Sequence, residues 1–372
     1  MRSGEVRARL EKRLSRSGVI VIFRQLFDPF SSTYTYLLGC DESGEAVVID
    51  PVFEQFARDT ALMRELGLRA RYVLDTHVHA DHVTSAWLMR ASLGAEIVLS
   101  KRYGVEEVDI AVDQGDVLAF GNCAVTVLAT PGHTNGCVTY TTSERDMAFT
   151  GDCLMIRGAG RTDFQAGDVH EMWHSIREQI FALPDECLIY PGHDYSGRTV
   201  STVGEEKRFN PRIGGDAREE DFVGYMQNLG LAHPKLIDLA VPANLKSGRP
   251  NDDAMPEEIT WGPVTPTFAG VPEIQPEWVA SHLEEVFVLD VRSAWEFEGD
   301  LGHLEGAHLV PLDELRERLG EVPHDLPVVT VCQSGKRSAM ATEILLRSGY
   351  EKVANVAGGL IQWSRLALPF RE

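Results

Sequence analysis

Thr76-His77-Val78-His79-Ala80-Asp81-His82 sets three imidazoles and a carboxylate within six residues. The apolar run Tyr72-Val73-Leu74 precedes it and reads as a short strand, so these side chains fall on the loop at a strand end. Imidazole and carboxylate are the groups that borderline divalent ions such as zinc and iron(II) accept. A lone histidine is more often packed in a core or left at the surface. This density is different, because buried His and Asp need partners to be tolerated. The stretch therefore reads as a metal-binding loop, and groups able to complete it recur downstream.

Strands are expected at Val19–Phe23, Tyr34–Leu38, Ala46–Ile49 and Ile97–Leu99, with helices at Phe53–Leu66 and Ser85–Leu93. Gly121-Asn122 between Val117–Phe120 and Ala124–Leu128 is a hairpin signal. Pro131-Gly132-His133 follows that second strand. Gly151-Asp152 follows a strand at Met147–Phe149, which pairs with Val138–Tyr140. Pro191-Gly192-His193 follows Leu188–Tyr190, after a helix over Val169–Leu183. Ligand types thus cluster at four strand ends. Two arrangements fit them. In a two-zinc hydrolase His77, His79 and His133 hold one ion, Asp81, His82 and His193 the other, and Asp152 bridges. In a one-iron site two His and one carboxylate leave positions open for substrate and dioxygen. Ligand counting alone favours the hydrolase.

The 372 residues suggest two domains. A net charge of -21 and a pI near 5.0 argue against nucleic acid as a partner. An anionic substrate would then need local arginines or helix N-termini. Six cysteines without a C-x-x-C pair read as free thiols in a reducing compartment. The arginine-rich residues 1–16 suggest a short amphipathic helix, with Glu5 and Glu11 counting against a mitochondrial presequence. No stretch approaches the roughly 20 apolar residues of a membrane span. The expectation is a cytosolic (cytoplasmic) protein that engages neither membrane nor nucleic acid.

Residues 198–240 read as helical, through Thr199–Phe209 and Asp221–Asn228. Prolines punctuate the next segment, and a linker without regular structure is expected at 246–272, between domains at 1–245 and 273–372. The second domain alternates helix and strand: Pro276–Leu283, Val286–Val291, Leu312–Leu319, Val328–Val331, Ser338–Ser348 and Val353–Val356. That order implies a small parallel sheet with helices on both faces. Strand Val328–Val331 runs into Cys332-Gln333-Ser334-Gly335-Lys336-Arg337, and Ser338 opens the helix. A cysteine there meets backbone N–H groups and a helix dipole that stabilise its thiolate. Lys336 and Arg337 supply positive charge in a domain with nine Lys/Arg against seventeen Asp/Glu. Cys332 is the nucleophile of this reading, with Arg337 beside it.

His-x-His-x-Asp-His with the downstream Gly-His, Gly-Asp and Gly-His resembles the metallo-β-lactamase superfamily, which implies an αββα sandwich over about residues 18–195. Asp290-Val291-Arg292, Gly302-His303-Leu304-Glu305-Gly306-Ala307, the Cys332–Arg337 loop and Gly358-Gly359 resemble a rhodanese sulfurtransferase domain, which carries sulfane sulfur on the loop cysteine. Arg337 is the fifth residue after Cys332, one short of the related phosphatase loop. Ile156-Arg157-Gly158-Ala159-Gly160-Arg161-Thr162-Asp163-Phe164-Gln165, Pro191–Tyr195 and Thr199–Glu206 narrow the first resemblance to the persulfide dioxygenases. That likeness reverses the preference from ligand counting. It implies one iron(II) ion, Fe(2+), per chain on His77, His133 and Asp152. His79, Asp81, His82 and His193 become the hydrogen-bond partners that orient ligands and waters.

The implied reaction is oxidation of glutathione persulfide by dioxygen (O2) to sulfite and glutathione. Arg161 is the candidate for a glutathione carboxylate, with Thr134 and Tyr195 as further contacts. Thiosulfate, glutathione and the Cys332 persulfide exchange sulfur in the second domain. A homodimer is the family-based expectation. The alternative is a two-zinc thioesterase of the glyoxalase II kind with an appended rhodanese domain.

Overall fold

The computed structural model describes residues 12–14, 20–105, 107–232, 234–251, 253, 255 and 261–370. The chain divides into two units, Met1–Phe56 with Leu66–Ala254 and Ala57–Glu65 with Met255–Glu372.

The first unit is built on two sheets. One runs in the order β1 (Lys12–Leu14), β2 (Ile20–Asp28), β3 (Thr33–Cys40), β4 (Glu45–Ile49), β5 (Arg69–Leu74), β6 (Glu96–Ser100), β7 (Ile110–Val112). It is antiparallel through β4 and parallel from β4 onward. The other contains β8 (Val117–Phe120), β9 (Cys123–Ala129), β10 (Val138–Thr142), β11 (Met147–Gly151), β12 (Leu188–Pro191) and β13 (Ser201–Thr202), in the order β13-β12-β11-β10-β9-β8. Their facing sides share one core: Tyr36, Leu38, Val47, Ile49 and Leu74 meet Phe120, Val125, Tyr140, Phe149 and Tyr190. On the outside of the second sheet, Leu128, Ala148 and Ile189 pack against Met172, Trp173, Ile176 and Phe222 of the helices Val169–His174 and Glu219–Gln227 and the π-type turn Ser175–Ile180. The β8–β9 hairpin closes through Gly121-Asn122, with Gly121 at φ 64°. This is the expected metallo-β-lactamase fold.

The second unit has one sheet of β14 (Thr265–Pro266), β15 (Pro272–Ile274), β16 (Phe287–Asp290), β17 (His308–Leu309), β18 (Val328–Val331) and β19 (Val353–Val356), ordered β14-β15-β19-β18-β16-β17. All pairs but β14–β15 are parallel. The helices Pro276–Ser281, Lys336–Arg347 and Gly359–Arg365 accompany it. This is the expected rhodanese-like architecture.

Several local expectations are corrected. The helix expected over residues 1–16 falls mostly outside the described residues, and Lys12–Leu14 within it is a strand on β2. Leu312–Leu319 is not a helix. Most of its amides reach back three residues, Glu314 to Pro311, Leu315 to Leu312 and Glu317 to Glu314, and only Arg318 also reaches back four, to Glu314, so the segment stays a run of turns. The helix over Val169–Leu183 slips to π geometry after His174, with Phe181 N–H on Ile176 O. The proline-rich 246–272 carries β14 and part of β15. Pro266 and Pro272 pair at the sheet edge, where a missing N–H costs little. No helix among the described residues is long and apolar enough to cross a membrane.

Candidate metal centre and cysteine loop

β5 runs into Asp75–His82, β9 toward His133, β11 into Asp152 and β12 toward His193. Val138 N–H donates to Thr76 O at 2.9 Å and ties the loops across the sandwich, and Gly192 N–H donates to Gly151 O at 2.8 Å between the neighbouring ends of β12 and β11. Gly151 sits at φ 50°, and a Cβ there would lie 2.5 Å from Thr76 Oγ1, so only glycine lets Asp152 approach His77.

Ligand atoms of His77, His133 and Asp152 lie within 4.8 Å of one another, and His133 Nε2 stands 3.8 Å from Asp152 Oδ2. An ion with bonds of about 2.1 Å spans that gap. Hydrogen bonding fixes which nitrogens face it. His133 Nδ1–H donates to Arg161 O at 2.6 Å, leaving Nε2 as the lone pair. The Thr76 hydroxyl gives its one proton to Asp50 Oδ2 at 2.8 Å, so in its 3.0 Å contact with His77 Nδ1 the imidazole is the donor. His77 Nε2 is then free. Burial and the neighbouring imidazoles hold the His77 pKa well below its ordinary value, which keeps it neutral.

His193 lies between two carboxylates, Nδ1 on Asp152 Oδ1 at 2.7 Å and Nε2 on Asp81 Oδ2 at 2.9 Å. Burial would lower its pKa, but the two carboxylates outweigh that and raise it well above the usual imidazole range. Burial likewise opposes ionisation of Asp152, and the His193 charge overrides it, holding the carboxyl below its ordinary range. Asp152 Oδ1 is thus engaged by His193 while Oδ2 faces His133.

His79, Asp81 and His82 form a second group with ligand atoms within 4.8 Å. His79 Nε2 binds Asp50 Oδ1 at 3.1 Å and His82 Nδ1 binds Asp81 Oδ2 at 3.0 Å. Burial lowers the His79 pKa, yet Asp50 carries it up to about 9. His79 Nδ1 and His82 Nε2 are buried without a hydrogen-bond partner. In the neutral imidazoles these two nitrogens offer lone pairs beside carboxylates, so the donor set suits a metal ion that displaces the His79 proton.

Three residues that the sequence did not single out support this centre. Asp50 joins His79 to Thr76. Thr33 Oγ1 lies 3.0 Å from His193 Nε2 and 3.1 Å from Asp81 Oδ2. Asn244 donates to the carbonyls of His79 and His82 at 2.9 and 2.8 Å and accepts from Thr84 N–H. Asp50 ends a strand four residues after Ala46 as Asp152 ends β11, which was a usable signal. Asn244 carries none, lying some 160 residues from its partners in the chain.

The expected substrate contacts are placed unevenly. Thr134 is fully buried, with its hydroxyl shared between Tyr103 and Cys137. The Arg161 guanidinium is closed on Asp163 at 2.6 and 2.8 Å and donates to Ala232 O, so its carbonyl serves His133 while its charge is already paired. Tyr195 is 73% exposed and stacks over His193 at 6.0 Å.

In the second unit Cys332 ends β18, buried, and Gly335 at φ 86° caps the helix Lys336–Arg347. Ser338 Oγ lies 3.3 Å from Cys332 Sγ. Burial raises the thiol, but the Ser338 hydroxyl and the N–H groups of Ser338, Ser334 and Arg337 bring it below its ordinary value. A Cβ on Gly359 would fall 2.4 Å from Cys332 O, which explains the second glycine of Gly358-Gly359. Gln333, Ser334 and Lys336 are exposed around the loop, and Arg337 is held by Glu296. Arg292 is buried on Asp290 and donates to Gly302 O, joining the two earlier motifs to each other.

Residues 28–193 match the metallo-β-lactamase superfamily and residues 275–366 the rhodanese-like domain. The chain is similar to the mitochondrial persulfide dioxygenase ETHE1 of Homo sapiens, 52% identical over 233 residues, which cover 62% of this chain and 91% of that protein. Of solved structures, ETHE1 from Myxococcus xanthus is 50% identical with a TM-score of 0.59 and covers 61% of this chain and 99% of its own. A metallo-β-lactamase from Staphylococcus aureus is 25% identical with a TM-score of 0.58 and covers 91% of this chain and 98% of its own.

Proposed function

Since the chain belongs to the persulfide dioxygenases of the metallo-β-lactamase superfamily and carries a C-terminal rhodanese-like domain, we propose that it oxidises glutathione persulfide with dioxygen, to sulfite and glutathione, at one iron(II) ion. We further propose that Cys332 exchanges sulfane sulfur between thiosulfate and glutathione. The observation that carries the first part is the group of two imidazoles and one carboxylate that His77, His133 and Asp152 form from three different strand ends. That is the donor set of iron(II) oxygenases with open positions.

Bound iron(II) supplies redox chemistry with dioxygen that no side chain of the cluster can. The protein's share is orientation. Arg161 O and Thr76 Oγ1 fix the tautomers of His133 and His77, so that both present Nε2. His193 keeps Asp152 ionised and directs Oδ2 inward. Tyr195 stands exposed over His193, where the substrate peptide can reach it. Arg161 becomes available to a carboxylate by releasing Asp163, and Thr134 acts only as a support.

At the second site the Cys332 thiolate attacks the outer sulfur of thiosulfate. The S–S bond breaks and sulfite leaves with the electron pair. Glutathione thiolate then takes the sulfane sulfur from the Cys332 persulfide, giving glutathione persulfide and restoring the thiolate. The product of one site is the substrate of the other, which accounts for the two on one chain.

The test is metal analysis together with dioxygen uptake. About one iron per chain and uptake dependent on glutathione persulfide are expected, lost in His133→Ala. Cys332→Ser should remove thiosulfate sulfur transfer and leave most dioxygen uptake. Two zincs per chain with no uptake would overturn the reading. One observation favours that second arrangement, a two-zinc thioesterase: the orphaned His79 Nδ1 and His82 Nε2 offer donors beyond the three-residue group.

A further inference from the structure

At the end of the sandwich away from the metal loops, two cysteines from different sheets meet. In β3 Tyr36 pairs with Ile49, next to Asp50, whereas Gly39 pairs with Ala46, so Cys40 lies at the opposite end of the strand. Cys123 opens β9 and pairs with Phe120 across the Gly121-Asn122 turn. Both thiols converge on one atom. Asn122 Oδ1 lies 2.8 Å from Cys40 Sγ and 3.7 Å from Cys123 Sγ. Asn122 is held there by Glu42 Oε2 at 2.5 Å, and Gly121 N–H by Glu45 Oε2 at 2.6 Å. The two sulfurs are buried, but their cover is thin: Asp41, Glu42, Ser43, Gly121 and Asn122 are all exposed turn residues.

We propose that Cys40 and Cys123, brought together on Asn122 Oδ1, are an oxidisable dithiol that a hydropersulfide closes into a disulfide across the two sheets. The two thiols are unequal. Burial raises Cys40, but the Ser43 hydroxyl and the N–H groups of Ser43, Asn122 and Glu42 around its sulfur outweigh it, and its pKa falls below the ordinary thiol value. Burial and then the Cys40 charge push Cys123 up to about 12. Cys40 is therefore the attacking thiolate and Cys123 the resolving thiol. Cys40 sulfur attacks the outer sulfur of R–S–SH. The S–S bond breaks and RS⁻ leaves, taking up the Cys40 proton as RSH. Cys123 then attacks the inner sulfur of the Cys40 persulfide, and HS⁻ leaves with the Cys123 proton as H₂S. Two thiols are oxidised to one disulfide, and one sulfane sulfur is reduced to sulfide. The glutathione persulfide assigned above as substrate is such an oxidant, and the inference rests on that reading for the oxidant's identity. An excess of substrate would thus mark the first unit at the end of the sandwich opposite its metal loops.

The experiment exposes the full-length, metal-loaded protein to glutathione persulfide without dioxygen, so that oxidative turnover is silent, then blocks free thiols and maps peptides unreduced. A Cys40–Cys123 cross-linked peptide, sulfide release and a higher melting temperature that reductant reverses are expected. Cys123→Ala should trap sulfur on Cys40 as a persulfide, and Cys40→Ala should leave Cys123 a free thiol. Both variants should retain wild-type dioxygen uptake, which is measured separately and reports on the proposed reaction alone. Recovery of Cys40 and Cys123 as blocked thiols after persulfide treatment overturns the inference. So does a persulfide trapped on Cys123 rather than Cys40, or a disulfide formed with hydrogen peroxide but not with persulfide.

Discussion

Arg337 closes a bidentate ion pair on Glu296, Nη1 to Oε2 at 2.7 Å and Nη2 to Oε1 at 2.6 Å. The same carboxylate accepts from Ser293 N–H and Oγ, capping the helix Ala294–Phe297. One side chain therefore joins the cysteine loop to the helix beside it. Arg337 acts as a clamp as well as a charge. Glu296→Gln keeps the cap but loses the charge-assisted fork, so Arg337 and the loop carbonyls are free to shift. Sulfur transfer from thiosulfate should fall about tenfold or more, as misplacement of a reacting group by an ångström does elsewhere. Steady-state kinetics with thiosulfate as donor checks this, and unchanged kcat/KM would remove the clamp from the argument.

The same pair sets a pH dependence. The hydrogen bond from Arg337 leads the causes that bring the Glu296 pKa down to about 2 from an ordinary 4.5. A depressed folded-state pKa contributes stability that is complete above the unfolded value and disappears as pH falls through the folded one. The contribution is therefore present at neutral pH and is lost on acidification between those two values. Melting curves of the wild type should fall more steeply across that window than those of Glu296→Gln. At neutral pH the variant should melt lower, by the modest amount that a partly exposed pair contributes.

Ser338 gives a third test. Its hydroxyl is the largest of the groups that lower the Cys332 pKa against the effect of burial. In Ser338→Ala the thiol should titrate higher. The pH at which alkylation of Cys332 reaches half its maximal rate should move up, and the rate at neutral pH should fall. Iodoacetamide kinetics followed by peptide mapping of Cys332 reads this directly. Coincident pH profiles for the two proteins would assign the shift to the backbone N–H groups alone.

Much of this architecture is legible because its chemistry is local. Each ligand loop directly follows an apolar strand, and the Cys332 loop lies between a strand and a helix. Periodicity and spacing alone place those features. What is not legible depends on contacts between distant segments. Asn244 clamps the His79 and His82 carbonyls from a helix that also contains Pro242, and nothing near it in sequence marks the partnership. Thr33 reads as an ordinary strand residue until β3 is laid against the His193 loop. Arg161 stands out in the sequence for its charge, yet its carbonyl is what touches His133. The missing helix at Leu312–Leu319 is a failure of another kind. Leucine spacing mimics amphipathicity there, but the segment closes as successive three-residue turns, a pattern in which the same leucines recur at similar spacing.

Asp50 carries the sharpest prediction for the metal centre. Its Oδ1 accepts from Thr76 N–H at 2.7 Å and lies 3.1 Å from His79 Nε2, while its Oδ2 accepts from the Thr76 hydroxyl at 2.8 Å. In Asp50→Asn the amide keeps its oxygen toward the two nitrogen donors, which places Nδ2 against Thr76 Oγ1. The hydroxyl must then accept from Asn and turn its own proton toward His77 Nδ1. His77 is driven to the tautomer with its proton on Nε2, the nitrogen that should face the ion, although the residue itself is untouched. Loss of an orienting partner of this kind typically weakens metal affinity by about ten- to a hundredfold. Competition with a chelator, followed by elemental analysis, should show that loss in Asp50→Asn. Melting of the metal-free protein should fall as well, because the replacement removes the buried charge paired with His79, so the chelator competition is read on protein shown to be folded. Wild-type metal retention in the variant would mean that Thr76 does not set the His77 tautomer.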